Sequence, residues 1–269
     1  MVRRTVLWYL LLGGRHIDGA HIYLNHKAIG QGISDAMKRG IPREEIFVTT
    51  KVFPSHFGYE LTKSTVPKYL EELNLEYIDL VLIHFPVSFP LMTNGCTKKG
   101  LSNEACRQET WKALSEIRSE GLVRNIGVSN FAVHHIKQIE ELDLAPVAVN
   151  QIQYNPWAPD HIVDTFQYCQ KQNIAVTAYA SLGGSLQHSQ ALTVQTLEGI
   201  AQAHNKSIVQ IMLRWSLQTN AVVIPGTGNP KHMKENLEVY SFELSEEEMI
   251  SINKLKSDEG AKKFFYMDP

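Results

Sequence analysis

The chain has little cysteine, no excess of charge of either sign and no long apolar run. Only Cys96, Cys106 and Cys169 occur in 269 residues. So few cysteines, without Cys-x-x-Cys spacing, argue against a disulfide framework or a zinc site, and a reducing cytosol is the natural expectation. The formal net charge of −2, from 26 basic and 28 acidic residues, leaves no global field for nucleic acid or an anionic membrane, and the basic residues form no stripe. No segment holds the roughly 18 consecutive apolar residues that a membrane span needs. Arg3 and Arg4 ahead of Val6–Leu12 imitate a signal peptide. That run is short, however, and leads directly into Gly13-Gly14-Arg15 with no convincing cleavage site. The chain also lacks low-complexity sequence and a Gly-x-Gly-x-x-Gly turn. These absences predict a cytoplasmic monomer with neither nucleic-acid nor membrane partners.

What is present is an alternation. Short runs rich in Val and Ile, at His16–Asp18, Ile46–Lys51, Ile78–His84, Asn125–Ser129, Val147–Gln151, Ile174–Tyr179 and Ala221–Ile224, read as strands covered on both faces. Between them lie amphipathic stretches such as Leu61–Leu73, Gln108–Glu120, Val133–Leu142, Asp160–Gln172 and Ser207–Leu217. Gly121 stands where a helix C-terminus needs it, and Pro159-Asp160 and Ser207 stand where helices start. Strand–helix alternation implies parallel strands with right-handed crossovers. Seven strands without a dinucleotide-type glycine turn favour a (β/α)8 TIM-type barrel, occupying residues 1–269 as one domain. In such a barrel the chemistry sits at the carboxyl ends of the strands.

Four titratable residues stand at or just beyond successive strand ends: Asp18, Tyr23, Lys51 and His84. Asp18 to Lys51 and Lys51 to His84 are both 33-residue steps, one βα unit each. Each residue alone has a plain reading. Asp18 would cap a helix, Tyr23 would pack, Lys51 would be a solvated strand end and His84 a satisfied core histidine. Together they suit carbonyl reduction. A carbonyl oxygen that gains negative charge needs a proton donor. A tyrosine becomes a better donor when an ammonium lowers its pKa from about 10. Lys51 would supply that charge, Asp18 would hold Lys51, and His84 would orient the carbonyl.

These residues lie in longer motifs. Gly14-Arg15-His16-Ile17-Asp18-Gly19-Ala20-His21-Ile22-Tyr23, Thr49-Thr50-Lys51, Leu82-Ile83-His84-Phe85-Pro86, Gly127-Val128-Ser129-Asn130-Phe131 and Asn150-Gln151 resemble the segments of the aldo-keto reductases that carry catalytic and nicotinamide-binding residues. The resemblance runs from about Leu10 to Leu255. It implies that Ser129, Asn130 and Gln151 bind the nicotinamide carboxamide and that Tyr179 stacks on the ring. Ser181 and Leu182, in Ala180-Ser181-Leu182-Gly183, would pass under the pyrophosphate, and Thr227, Glu235 and Asn236 would line the adenosine end. Phe53, Phe85 and the Pro86–Arg107 loop would shape the substrate pocket. The expected activity is reduction of an aldehyde or ketone, a small-molecule carbonyl substrate, by NADPH, with NADH as the alternative.

Two departures qualify the resemblance. Gly226 and His232 stand where many relatives carry the Lys and Arg that grip a 2′-phosphate; Lys231 or Lys234 would have to compensate. Met1–Leu12 reads as the first helix, so the first barrel strand is expected to be missing and the barrel incomplete. The competing readings are a non-catalytic nucleotide-binding protein of the same fold, like channel-associated β subunits, and an inactive truncated form.

Overall fold

The computed structural model describes residues 1–89, 93–183 and 194–255. The chain forms two compact units, the first made of residues 1–150 and the second beginning at Gln151.

In the first unit the elements alternate as the pattern demands: α1 (Val2–Leu11), β1 (His16–Asp18), α2 (His26–Met37), β2 (Phe47–Val52), α3 (Tyr59–Leu73), β3 (Ile78–Ile83), α4 (Asn103–Ser119), β4 (Val123–Ser129) and α5 (Val133–Glu140). β1, β2, β3 and β4 pair in chain order, all parallel, with His16 opposite Phe47, Thr49 opposite Leu80 and Leu80 opposite Asn125. Ile78, Leu80, Val81, Leu82 and Ile83 are all buried. That apolar run, broken only by Asp79, is the signature of a strand with covered faces. Gly127 in β4 is required by close approach, since a Cβ there would lie 2.4 Å from the Val149 carbonyl oxygen. α4 starts at Asn103 because the Ser102 hydroxyl accepts from Ala105 N. Gly121 follows the C-cap Glu120 with φ +81°, the left-handed conformation in which glycine is favoured.

β5 (Val149–Gln153) leads into the second unit, which contains α6 (Asp160–Lys171), β6 (Ala175–Tyr179), α7 (Gln195–His204), α8 (Ile208–Gln218), β7 (Ala221–Val223), α9 (Pro230–Leu237) and α10 (Glu246–Asn253). β6 and β7 are parallel, with Val176 opposite Ala221. Ser207 and Gln210 close a capping box at the start of α8, as Ser245 and Glu248 do for α10.

Seven strands are present among the described residues, and Val2–Leu11 is helical, as expected. The cysteine reading is corrected: Cys96 and Cys106 form a disulfide. The start of α4 brings Cys106 back to the loop, which the ten-residue spacing conceals. The argument from cysteine usage for a reducing cytosol therefore falls away. Part of the Pro86–Arg107 loop, residues 90–92, and the aromatic tail beyond Leu255 lie outside the described residues. Among the described residues no helix is long and apolar enough to cross a membrane.

Candidate active site

The first unit brings the four titratable residues together. Lys51, in β2, is 1% exposed, so it is not a solvated strand end. Its Nζ donates to Asp18 Oδ1 at 2.5 Å and to the Gly19 carbonyl at 2.9 Å. Burial pushes the Lys51 ammonium below its ordinary pKa, and the Asp18 carboxylate opposes that shift. The strand carrying Lys51 is tied on both sides. His16 Nε2 pairs with Thr49 Oγ1 at 2.9 Å, and His26 Nε2 pairs with Thr50 Oγ1 at 2.7 Å. Gly19 N donates to the Thr49 carbonyl at 2.8 Å.

Tyr23 closes a short 3-10 turn, His21–Tyr23, that follows β1. It is 49% exposed, and Lys51 Nζ lies 5.5 Å from the centre of its ring. The expected lowering of the phenol pKa is corrected. Tyr23 lies above its ordinary value, first through desolvation and second through the Asp18 carboxylate. The Lys51 charge is already compensated by Asp18 at 2.5 Å, so it does little to favour the phenolate. The phenol is thus fully protonated near neutrality.

His84 follows β3, and its ring meets that of Tyr23 edge-on at 6.3 Å between centroids. It is not a satisfied core histidine, because Nδ1 is buried and has no hydrogen-bond partner among the described residues. Burial, reinforced by the Lys51 charge, pushes its pKa down to about 3. A neutral imidazole carries one N–H. Phe85 stacks on His84 at 4.5 Å and 10°. Phe53 meets His84 at 6.0 Å, Phe85 at 6.1 Å and Phe89 at 6.0 Å. Phe89, four residues after Phe85, belongs to the Pro86–Arg107 loop that was expected to shape the pocket, although it was not singled out within it. Ser129 is buried at the end of β4. Asn130 adopts φ +64° and donates to the His84 carbonyl at 3.0 Å and to Ser129 Oγ at 3.1 Å.

The second unit carries the remaining candidates. Gln151 is buried in β5, and Tyr179 ends β6 half-buried. The Tyr179 carbonyl accepts from Tyr154 N at 3.2 Å. After it the backbone turns sharply, with Ala180 at φ +49° and Gly183 at φ +88°. The Ser181 hydroxyl donates to the Ala178 carbonyl at 2.9 Å, and Leu182 is half-buried. Thr227 Oγ1 accepts from Asn229 N at 3.1 Å. Glu235 and Asn236 sit half-buried in the last turn of α9. Gly226 and His232 are both exposed. Lys231 lies 3.8 Å from the Glu235 carboxylate, so its charge is partly engaged. Among the described residues no group of three or more His, Cys, Asp or Glu side chains could hold a metal ion.

Comparison with known proteins agrees with this geometry. The sequence profile described as "Aldo/keto reductase family" matches residues 2–257. The chain is 40% identical over 254 residues to the 9,11-endoperoxide prostaglandin H2 reductase of Trypanosoma cruzi (strain CL Brener), covering 94% of this chain and 82% of that protein. It is 38% identical to the glyoxal reductase of Bacillus subtilis (strain 168), covering 92% and 80%. Its structure matches that of the Bombyx mori aldo-keto reductase in complex with NADP with a TM-score of 0.84 at 31% identity, covering 97% of this chain and 87% of that one. With seven strands among the described residues, the fold is an incomplete (β/α)8 barrel. The chain belongs to the aldo/keto reductase family and is an NAD(P)H-dependent oxidoreductase.

Proposed function

We propose that this protein reduces aldehydes or ketones to alcohols with NADPH, acting as a monomer on a carbonyl compound with an apolar or aromatic body. The observation that carries this reading is the buried Lys51–Asp18 pair beside a protonated Tyr23, with a neutral His84 edge-on to the same phenol. When bound, the nicotinamide supplies a hydride to the carbonyl carbon. Tyr23 Oη–H is the general acid for the carbonyl oxygen. His84 Nε2–H donates to that oxygen and orients it. Lys51, held in place by Asp18, lies 5.5 Å from the centre of the Tyr23 ring and positions the phenol for that transfer. Phe53, Phe85 and Phe89 present apolar faces and no charge, which suits an apolar substrate body and excludes water.

The residues present fit a dinucleotide. Ser129 and Gln151 offer buried polar groups at the ends of β4 and within β5, the kind of group that holds a carboxamide, and Asn130 would join them. Tyr179 is assigned to stacking on the nicotinamide ring. Ser181 and Leu182, in a turn with two left-handed residues, are assigned to the pyrophosphate. Thr227, Glu235 and Asn236 are assigned to the adenosine end. Residues 1–269 are on this reading one catalytic domain. A panel of aliphatic, aromatic and sugar carbonyls, assayed with NADPH and NADH in parallel, tests the proposal. Turnover of aromatic aldehydes with NADPH supports it. Tight NADPH binding without turnover of any carbonyl would favour the non-catalytic nucleotide-binding reading.

A further inference from the structure

The start of α4 does more than begin a helix. Within two turns it grips three separate segments around the aromatic wall. Asn103 Oδ1 accepts from Ser88 N at 3.3 Å. Cys106 is bonded to Cys96, and both cysteines are buried. Arg107, 3% exposed, donates to the Pro86 carbonyl at 2.6 Å and to Gln138 Oε1 at 2.5 Å. Thr110 Oγ1 accepts from Gly58 N at 3.0 Å and donates to the Cys106 carbonyl at 2.8 Å.

The segment that Cys96 anchors reaches across to the turn after β2. Gly95 N donates to the Phe57 carbonyl at 3.1 Å. Asn94 Nδ2 donates to the Pro54 carbonyl at 2.8 Å and to Ser88 Oγ at 2.7 Å. The fit is close. A Cβ on Gly95 would lie 2.9 Å from the Phe57 oxygen, and one on Gly58 would lie 3.3 Å from Cys96 N and Sγ. Pro54 follows Phe53, Pro86 follows Phe85, and Ser88 precedes Phe89. The backbone beside each wall ring is therefore held by α4 directly or through the segment that the disulfide ties to it. Burial pushes the Arg107 guanidinium below its ordinary pKa, and the Glu104 carboxylate opposes that shift. The charge-assisted hydrogen bond from Arg107 to the Pro86 carbonyl holds the backbone leaving His84 and Phe85.

We propose that Cys106 and Arg107 are positioning residues for the carbonyl-binding wall, and that breaking the Cys96–Cys106 disulfide weakens carbonyl binding while leaving cofactor binding intact. This rests on the carbonyl-reductase reading above. A dithiol reductant supplies two electrons and two protons. The S–S bond breaks, Cys96 and Cys106 become thiols, and the reductant closes to its own disulfide. Both sulfurs are buried, so the loop has to open first, and reduction is slow under native conditions.

The test compares the wild type, the wild type after prolonged treatment with a dithiol, and the C96A/C106A double variant. The first readout needs no activity. Amide exchange at Gly58 and Gly95 should speed up by at least about tenfold when the disulfide is lost, as local opening becomes easier, with β4 amides unchanged. The second readout is kinetic, on any carbonyl the wild type reduces. KM should rise by about tenfold with kcat changed less than about threefold, the scale of a displaced binding wall, and NADPH affinity measured by fluorescence titration should hold. Arg107→Lys should retain more of the wild-type KM than Arg107→Met. Unchanged exchange and KM in both disulfide-free forms would overturn the proposal, as would a loss of NADPH affinity in step with KM, which marks general loosening. If the wild type binds NADPH but reduces no carbonyl, the reductase reading fails, and the exchange result alone decides the positioning claim.

Discussion

Replacing Asp18 by Asn isolates the pair at the centre of the site. Lys51 is 1% exposed and Asp18 13%, with 2.5 Å between Nζ and Oδ1. Two charges about 4 Å apart attract by about 1 kcal/mol in water and about 4 kcal/mol at an effective dielectric near 20. With Lys51 so deeply buried, the second figure applies. Removing one partner of a buried pair costs about 3–5 kcal/mol, because the other charge stays behind without water. Asn keeps an acceptor oxygen, and the Gly19 carbonyl still accepts at 2.9 Å, so the lower end, about 3 kcal/mol, is expected near pH 7. The pH dependence has a definite sign. Burial already holds Lys51 below the ordinary lysine value of 10.5, and Asp18 limits the depression. Without Asp18 the folded-state value falls further. Between that value and 10.5 the unfolded chain binds more protons than the folded one, so stability rises with pH across the window. The window opens at lower pH in the variant, so its deficit should shrink in alkaline solution. Urea unfolding of both proteins near neutrality and in mild alkali, with m-values matched, measures this. A deficit below about 1 kcal/mol, or one that does not change with pH, would refute the buried-pair reasoning.

Three further outcomes follow from particular residues. Gly226 lies in open space and would accept a side chain without a clash. Gly226→Lys should raise the NADPH-to-NADH ratio of kcat/KM by about ten- to a hundredfold if the ammonium meets the 2′-phosphate, and an unchanged ratio would place phosphate recognition elsewhere. His84, held near a pKa of about 3 by burial, lies below the ordinary histidine value. The folded state therefore resists its protonation, and stability is lost as pH falls from about 6.5 toward 3. The profile of kcat/KM should show no inflection near pH 6.5, and one that disappears in His84→Gln would contradict the assignment. A Cβ on Gly127 would meet the Val149 oxygen at 2.4 Å, whereas one on Gly199 in α7 would meet nothing within 4 Å. Gly127→Ala should therefore lower stability by at least about 2 kcal/mol and Gly199→Ala should raise it by up to about 1 kcal/mol; similar effects at both sites would show that the close approach is absent.

The catalytic candidates were legible because the strands announce themselves. β3 is an apolar run, broken only by Asp79, that ends one residue before a histidine, and in a parallel sheet that end is where chemistry sits. Lys51 was placed correctly on β2, although the strand runs on through Val52. What sequence could not show depends on through-space sums. The shift of Tyr23 upward comes from desolvation and from Asp18, and Asp18 also spends the Lys51 charge that was expected to lower it. The start of α4 was placed five residues late because Asn103–Arg107 looks like polar loop. That error hid the turn that brings Cys106 to Cys96 and Arg107 to Pro86. Phe89 joins the wall only because the segment beyond Pro86 folds back against Phe53 and Phe85. The missing Lys and Arg at 226 and 232 were legible, and both positions are exposed, yet exposure alone does not set cofactor choice.

The central claim is that Tyr23 is the acid for a carbonyl reduced by NADPH. Its most direct test is Tyr23→Phe, which removes the hydroxyl and keeps the ring. Carbonyl turnover and NADPH affinity are measured on the same preparation, with the wild type active on the chosen substrate. The account predicts a fall in kcat of at least roughly a hundredfold, the scale of lost general acid catalysis, with NADPH affinity within about twofold of wild type, because the ring that packs beside Lys51 and His84 is retained. Turnover close to wild type in Tyr23→Phe, with NADPH still bound, would remove Tyr23 from the mechanism and contradict the account.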